Sequence, residues 1–115
     1  MTITKVNSMT TEPGYTFVSV STPKPGRLDD LIRITRRPSE QMDGKVAGLI
    51  ARQVSVDRDR NTVVVWVTLD SKASLYDYLA TAEGKDDHGE NDDMSDIIET
   101  FSMYDLEPIS GRLPA

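Results

Sequence analysis

The sequence has no cysteine, a single histidine and a single tryptophan among its 115 residues. Without cysteine the chain can form no disulfide, zinc ribbon, iron–sulfur cluster or catalytic thiolate. A chain that needs no disulfides is compatible with a reducing compartment, so we expect a cytoplasmic location.

Long apolar runs are also absent. No stretch approaches the roughly 20 residues of a membrane-spanning helix, so we expect no membrane partner. Residues 1–14 lack the apolar segment of a secretory signal, which agrees with the expected cytoplasmic location.

Positive charge is scarce as well. Nineteen acidic side chains outnumber 13 basic ones and give a formal net charge of -6. Such a surface repels phosphate backbones, so nucleic acid is not expected as a partner. The local basic cluster of Arg33, Arg36 and Arg37 has no aromatic residue among its members, and we interpret it as a solvated helix end.

The length of the chain fits one domain with a core of its own. We expect an N-terminal arm at residues 1–14, a single domain at residues 15–109 and a C-terminal tail at residues 110–115. The stretch from Ile3 to Met9 alternates weakly in polarity, so an added edge strand is the alternative to a loose arm.

The first half of the domain changes from a strand period to a helical one. Residues 15–22, YTFVSVST, have a strand composition, and a turn rich in proline and glycine follows them. A helical period begins at Arg27. Pro38 disfavours helical geometry at Arg37, so we expect the helix to end or kink there, with one further helical turn after it.

The second half contains the most strongly apolar strand. Residues 47–56 and 62–69 predict two strands joined by a hairpin. Because TVVVWVTL, residues 62–69, is apolar almost throughout, both of its faces should be buried. One sheet face can pack on the chain's own helices, and the other needs a cover that this short chain cannot supply. We therefore expect a homodimer formed through the sheet faces.

The remaining elements complete a regular order. Asp70 or Ser71 is expected to cap a second helix. A short third helix should follow at about residue 92, with a last strand at 101–109 whose Pro108 places it at a sheet edge. The order β-α-β-β-α-β predicts an α+β fold, a ferredoxin-like split β-α-β sandwich with a four-stranded antiparallel sheet.

This order and spacing resemble the antibiotic biosynthesis monooxygenase family of dimeric α+β barrels over about residues 15–109. The matching pieces are a Pro-Gly turn before the first helix, Gly48-Leu49-Ile50 at the second strand, the hairpin, Asp70-Ser71 before the second helix and the final strand FSMYDLEPIS. The family usually has a tryptophan immediately before the Asp-Ser step, and Leu69 stands there in this sequence.

The resemblance implies a homodimeric barrel with a pocket in each subunit between sheet and helices. Some members of the family oxidise aromatic polyketides with molecular oxygen and need neither metal nor flavin, so no cofactor is expected. Other members degrade haem with a histidine on the second helix. Residues 71–83 contain no histidine, which disfavours haem degradation.

Two residues are candidates for catalysis. His88 is the sole histidine, and histidine is the usual proton acceptor near neutral pH. It lies beside Asp86 and Asp87, which favours a solvated loop residue as the alternative. Arg52 falls among apolar neighbours in a strand, where a guanidinium needs a partner, either a carboxylate such as Asp105 or an anionic ligand.

Four aromatic residues are candidates for contact with a small aromatic ligand: Trp66, Tyr76, Tyr15 and Phe17. Their aromatic rings suit a flat apolar ligand, and the alternative for them is core or dimer packing. No metal site is expected, because the acidic loop at residues 84–93 lacks the ligand order of a calcium loop.

Three functions remain open at this point. The resemblance favours a cofactor-independent monooxygenase acting on a small aromatic or polyketide-type substrate. The alternatives are a non-catalytic dimeric ligand-binding or structural domain, and an isomerase or cyclase of the same fold. A closed pocket of over roughly 300 Å³ with convergent polar groups would favour an enzyme.

Overall fold

The computed structural model describes residues 10–11, 14–81, 94–111 and 113–114. The strands are β1 (Thr10–Thr11), β2 (Tyr15–Pro23), β3 (Leu49–Asp57), β4 (Thr62–Leu69), β5 (Ile98–Leu106) and β6 (Leu113–Pro114). The helices among these residues are α1 (Leu28–Gln41), α2 (Lys72–Leu79) and α3 (Met94–Ile97). None of these helices is long and apolar enough to cross a bilayer.

The main sheet has four strands in the order β3-β4-β2-β5, and every neighbouring pair is antiparallel. With α1 after β2 and α2 after β4, this is the predicted ferredoxin-like arrangement, and the α+β fold class is confirmed. The predicted edge position of the last strand is also confirmed, because β5 borders the sheet.

Two short strands from opposite ends of the sequence also pair. The strands β1 and β6 form a separate two-stranded antiparallel sheet, with Thr10 opposite Pro114 and Thr11 opposite Leu113. This pairing joins a residue pair from the predicted arm to one from the predicted tail. The domain limits stay a prediction, and the stretch from Ile3 to Met9 lies outside the described residues.

The two faces of the main sheet differ in what covers them. On β4, Val63, Val65 and Val67 are buried in one core cluster with Leu31 of α1 and Leu75 of α2. We call this side the helix-covered face. The alternate β4 residues lie on the opposite side, which we call the open face; this side also carries Val18 and Val20 of β2 and Trp66 of β4.

The helix α1 runs through Pro38 and ends at Gln41. Of the two outcomes predicted at Arg37, an end or a kink, the end was wrong. Proline removes one backbone donor from a helix. Beyond it, Ser39 is 3% exposed and Met42 is 2% exposed. Packing of this last turn offsets the local cost of the proline, and the predicted further turn belongs to the same helix.

The last helix and the last strand meet three residues earlier than predicted. The helix α3 ends at Ile97, and β5 begins at Ile98 instead of residue 101. Pro23 of β2 lies opposite Ile98, and the Lys24 amide donates to the carbonyl of Ile97 at 2.8 Å. Pairing with β2 therefore overrides the helical spacing of the apolar residues in this segment.

Side-chain hydrogen bonds stabilise the start of α2, where the sequence predicted either Asp70 or Ser71 as the N-cap. Of the two predicted caps, Ser71 takes the N-cap position, and its hydroxyl accepts a hydrogen bond from the Ser74 amide at 3.2 Å. Asp70 has a different role, because its carboxylate accepts a hydrogen bond from the Ser74 hydroxyl at 2.5 Å.

Two glycines allow the chain to approach Asp70 closely. The Asp70 amide donates to the carbonyl of Gly48 at 2.9 Å. A Cβ on Gly48 would lie 2.2 Å from Asp70 Oδ1, and the φ of Gly48 is +90°. A Cβ on Gly14 would lie 1.8 Å from the Asp70 carbonyl oxygen. The Asp70-Ser71 step thus joins the beginnings of β2 and β3 to the end of β4.

Candidate functional site

Two tyrosines and one aspartate meet on the helix-covered face, at the end of the sheet where α2 begins. Tyr15 of β2 is 4% exposed, and its hydroxyl donates to Asp105 Oδ1 of β5 at 2.5 Å. The hydroxyl of Tyr76 on α2 donates to the same carboxylate oxygen at 2.8 Å. We call Tyr15, Tyr76 and Asp105 the tyrosine–aspartate cluster.

Strand register brings the cluster together. Asp105 lies opposite Phe17 in the β2–β5 pair, and Tyr15 lies two residues from Phe17 on the same face. The helix α2 starts directly after β4, which places Tyr76 above this end of the sheet. The rings of Tyr15 and Tyr76 are 6.5 Å apart between centroids.

A lysine borders the cluster on the solvent side. Lys72 Nζ lies 3.8 Å from Asp105 Oδ2 and 5.4 Å from the ring centroid of Tyr76. Lys72 precedes Tyr76 by four residues on α2, so the two side chains lie on the same face of the helix. Because the Lys72 side chain is 60% exposed, the ion pair with Asp105 is screened by water.

The hydrogen bonds fix the charge state of the cluster. Those from Tyr15 and Tyr76 lower the pKa of Asp105, and the charge of Lys72 acts in the same direction. Burial and then the bond to Asp105 raise the pKa of Tyr15. The bond to Asp105, followed by burial, raises the pKa of Tyr76. Near neutral pH the cluster therefore holds one carboxylate and two protonated phenols.

An apolar surface extends from the cluster along β5. Phe101 and Met103 lie on the same face of the strand as Asp105 and are 48% and 55% exposed. At about 3.4 Å per residue, the distance along the strand from Phe101 to Asp105 is about 14 Å. Phe17 borders this surface on β2. We call Phe17, Phe101 and Met103 the apolar shelf.

Trp66 lies on the open face, opposite to the other predicted ligand contacts. Its indole Nε1 donates to the Gln53 side-chain oxygen of β3 at 3.2 Å. The structure thus brings Tyr15, Phe17 and Tyr76 to one face of the sheet and separates Trp66 from them. A single ligand site within one subunit cannot use all four aromatic residues.

The partner of Arg52 is Asp43 and not Asp105. The guanidinium Nε donates to Asp43 Oδ1 at 2.7 Å, and Nη2 donates to Oδ2 at 2.6 Å. This bidentate pair lowers the pKa of Asp43. It ties the turn after α1 to β3, whereas Asp105 lies on the far edge strand β5.

A shallow cleft lies beside Arg52. It has a volume of about 170 Å³ between α1 and β3. Its lining residues are Ile32, Arg36, Glu40, Arg52, Val54, Ser55 and Val56. Both guanidinium groups in this cleft are paired with carboxylates, Arg36 with Glu40 and Arg52 with Asp43. The cleft therefore offers an incoming anion no unpaired guanidinium.

The second predicted catalytic residue is not tested. His88 and the acidic loop at residues 84–93 lie outside the described residues. Within the ranges that the structure describes, no three histidine, aspartate or glutamate side chains converge into a group that could hold a metal ion.

Asp105 is the residue of this site that sequence reasoning missed, since it was named solely as a partner for Arg52. One signal was present. Asp105 alternates with the apolar residues Met103 and Phe101, and the β-α-β-β-α-β order places the last strand beside the first. An isolated carboxylate on the core side of that pair needs donors, and Tyr15 is the residue that supplies one.

The sequence matches no protein-family model and no curated protein sequence. Solved structures give clear matches. SnoaB, a cofactor-independent oxygenase from Streptomyces nogalater, superimposes with a TM-score of 0.67 at 14% identity, over 87% of this chain and 97% of SnoaB. A Bacteroides thetaiotaomicron protein, provisionally described as an antibiotic biosynthesis monooxygenase, gives 0.66 at 16% identity, over 85% and 91% of the two chains.

The chain has the fold of the antibiotic biosynthesis monooxygenase-like proteins. A third match to this monooxygenase-like fold is a dimeric protein of unknown function with a ferredoxin-like fold, from Bacteroides fragilis. Its TM-score is 0.61 at 9% identity, over 81% of this chain and 94% of that one. Identities this low establish a shared architecture and leave the activity to be argued from the site.

Proposed function

We propose that the chain is a cofactor-independent monooxygenase acting on a small aromatic or polyketide-type substrate that carries a hydroxyl group. The observation that carries this proposal is the tyrosine–aspartate cluster at the end of the apolar shelf. It combines a carboxylate that can accept a proton with Tyr76, whose phenol can pass that proton on and then donate to the substrate anion that forms. The shared fold with SnoaB supports the same class of reaction.

The apolar shelf and the cluster have separate roles in this proposal. The aromatic rings of the substrate lie on Phe101 and Met103, which are exposed beside Asp105. The substrate hydroxyl gives its proton to the Tyr76 oxygen while Tyr76 passes its own proton to Asp105. One proton has then moved, leaving a substrate anion, a neutral tyrosine and a neutral carboxylic acid. Molecular oxygen then forms a C–O bond with the electron-rich ring carbon of that anion, and the resulting peroxide takes the proton back from Asp105. Loss of the remaining hydrogen on that carbon, with cleavage of the O–O bond, leaves one oxygen atom on the substrate as a carbonyl and releases the other as water. All four electrons come from the substrate.

The free-energy cost of this proton transfer favours substrates with acidic hydroxyl groups. The pKa of an ordinary phenol is about 10 and that of an aspartate is about 3.9. Moving a proton from the substrate hydroxyl to Asp105 is therefore uphill by about 6 pKa units, or roughly 8 kcal/mol. The lowered pKa of Asp105 increases that cost. Enols and phenols conjugated with carbonyl groups reduce it, because the carbonyl delocalises the negative charge. Polyketide-type aromatics contain such hydroxyls.

Oxygen uptake tests the proposal. The wild-type protein should consume oxygen with an anthrone-type substrate and without added metal or flavin. The Asp105→Asn variant should lose roughly 100-fold or more of that rate, because the proton acceptor is removed. Circular dichroism checks that both proteins fold. A folded wild-type protein with no uptake across a panel of hydroxylated aromatics would count against an oxygenase.

A non-catalytic ligand-binding domain is the second candidate. The cleft beside Arg52 has a volume of about 170 Å³. That is smaller than the roughly 300 Å³ at which ligand pockets usually begin. The apolar shelf is open and not enclosed, since Met103 is 55% exposed. Saturable binding of a hydroxylated aromatic with no oxygen uptake would favour this function.

A homodimer formed through the open faces remains part of the proposal. The described helices cover the other face, and the open face carries Val18, Val20, Val64 and Trp66. The Bacteroides fragilis protein of the same fold is dimeric. We place the dimer in the cytoplasm on the sequence properties alone.

A further inference from the structure

We propose that the tyrosine–aspartate cluster binds its ligand through a protonated hydroxyl group, so that it selects neutral phenols and enols over phenolates and carboxylates. This inference rests on the site named under the proposed function and specifies the form in which a ligand enters it. The geometry of the three side chains carries it.

Hydrogen-bond accounting gives the selectivity. Each phenol has one proton, and both Tyr15 and Tyr76 direct theirs to Asp105 Oδ1. The phenol oxygens therefore have lone pairs to offer and no further proton. Donation to a carboxylate also polarises these oxygens and makes them better acceptors. A ligand O–H supplies the missing donor, whereas an oxygen anion supplies none.

The charge of Asp105 also favours a neutral ligand over an anionic one. An anion at Tyr76 would lie beside the Asp105 carboxylate, which is a like charge. Among the described residues, Lys72 is the cation at this site, but it lies 3.8 Å from Asp105 Oδ2, so its charge is already partly balanced. Binding an anion requires Tyr76 to turn its proton away from Asp105, which loses a charge-assisted hydrogen bond.

Within the part of the chain that the structure describes, the titratable groups that face Asp105 are Tyr15 from β2 and Tyr76 and Lys72 from α2. The pKa of Asp105 is lowered, and those of both tyrosines are raised. The carboxylate and the phenols therefore keep their charge between about pH 6 and 9. A change of affinity in this window reports ionisation of the ligand when a phenol that ionises near neutral pH is used.

A nitrophenol is a suitable probe, because its hydroxyl ionises near neutral pH. Its dissociation constant should be measured from about pH 6 to 9 by nuclear magnetic resonance titration of the tyrosine ring signals. The affinity should fall about tenfold for each pH unit above the ionisation of the probe. The methyl ether of the same nitrophenol, which cannot donate or ionise, should bind weakly and equally at every pH.

Three variants assign the effect to the cluster. Tyr76→Phe removes an acceptor oxygen and should weaken binding of the protonated probe about tenfold. Tyr104→Phe changes a tyrosine on the open face and should leave binding unchanged. Lys72→Ala should also keep the preference for the protonated probe. If Lys72→Ala abolishes binding instead, the site recognises anions and the proposal is overturned.

The wild-type titration alone decides the question, even if a variant fails to fold. An affinity that is unchanged or higher above the ionisation of the probe overturns the inference, and so does an absence of binding by either form. Because nitrophenol binding is measured without turnover, the two proposals can fail separately. Binding of the protonated probe without oxygen uptake by other substrates retains this inference and rejects the oxygenase.

Discussion

Asp105 is the residue on which the site depends, because two phenols donate to one of its oxygens. A carboxylate that accepts two hydrogen bonds is held ionised, and it holds its donors in place in return. Tyr15 is buried, so its hydroxyl cannot rely on water as a hydrogen-bond partner and donates to Asp105 instead. The cluster thus holds β2, β5 and α2 together, and in our proposal it also supplies the chemistry.

The lowered pKa of Asp105 predicts a pH dependence of stability. A group whose folded pKa lies below its unfolded value adds stability above the unfolded pKa of about 3.9. That contribution is lost as the pH falls through the folded pKa. Urea unfolding at several pH values should therefore show that wild type exceeds Asp105→Asn in stability at pH 7 and that the difference shrinks under acid conditions. A constant difference would show that Asp105 does not titrate as described.

Removal of the Tyr15 hydroxyl should lower the free energy of unfolding by a measurable amount. Tyr15→Phe keeps the ring in the core and deletes one hydrogen bond to a charged partner, so we expect a loss of about 1–2 kcal/mol in the free energy of unfolding. Tyr104→Phe is the matched control and should change it by less than about 0.5 kcal/mol. Equal effects of the two substitutions would contradict the role given to the cluster.

At the residue scale, two of the residues predicted as ligand contacts meet in the candidate site. Tyr15 and Tyr76 were predicted as ligand contacts from their aromatic rings and their positions. The role of Asp105 was not, because it lies 90 residues from Tyr15 in sequence and the contact depends on strand register. The pairing of Arg52 with Asp43 depends likewise on the conformation of the turn after α1.

Among the elements, the step from β4 to α2 explains the residues that carried the family resemblance. Ser71 caps the helix, and Asp70 binds Ser74 while it packs against Gly48. These contacts serve the junction between strand and helix. The Asp-Ser motif therefore belongs to the architecture, and the chemistry that we propose is centred on Asp105 instead.

A pair of glycine substitutions tests this junction. Gly44 and Gly48 both have positive φ, at +76° and +90°, but a Cβ meets nothing within 4 Å at Gly44 and meets Asp70 at Gly48. Gly44→Ala should therefore cost about 1–2 kcal/mol of stability for backbone strain alone. Gly48→Ala should cost roughly 1–3 kcal/mol more, because the Asp70–Ser74 hydrogen bond is displaced. Thermal unfolding of both variants measures the difference, and equal losses would show that Asp70 moves aside freely.

The order and type of the main elements were predictable because their periodicity is strong. The β4 bounds at Thr62–Leu69 agree with the prediction to the residue. Where the prediction failed, a contact distant in sequence decided the outcome. Packing of Met42 carries α1 through Pro38, and pairing with Pro23 turns Ile98 into strand. Such contacts leave no local pattern to find.

At the scale of the whole molecule, the open face determines how subunits associate in our proposal. Trp66→Glu places a charge at the centre of that face, where burial against a second sheet makes it costly. Sedimentation at micromolar concentration should show a dimer for wild type and a shift to monomer for Trp66→Glu. Ala73→Glu adds the same charge to an exposed position on α2 and should remain dimeric. A wild-type monomer would reject the barrel.

The central claim is that the activity lies on the helix-covered face, at the tyrosine–aspartate cluster. The most direct test compares kcat/KM for oxygen uptake between Tyr76→Phe and Tyr104→Phe, which remove the same hydroxyl from opposite faces of the sheet. We predict that Tyr76→Phe loses at least about tenfold, the loss of a hydrogen bond of roughly 1.4 kcal/mol, while Tyr104→Phe retains the wild-type value. Equal values for the two variants would contradict the assignment of the site.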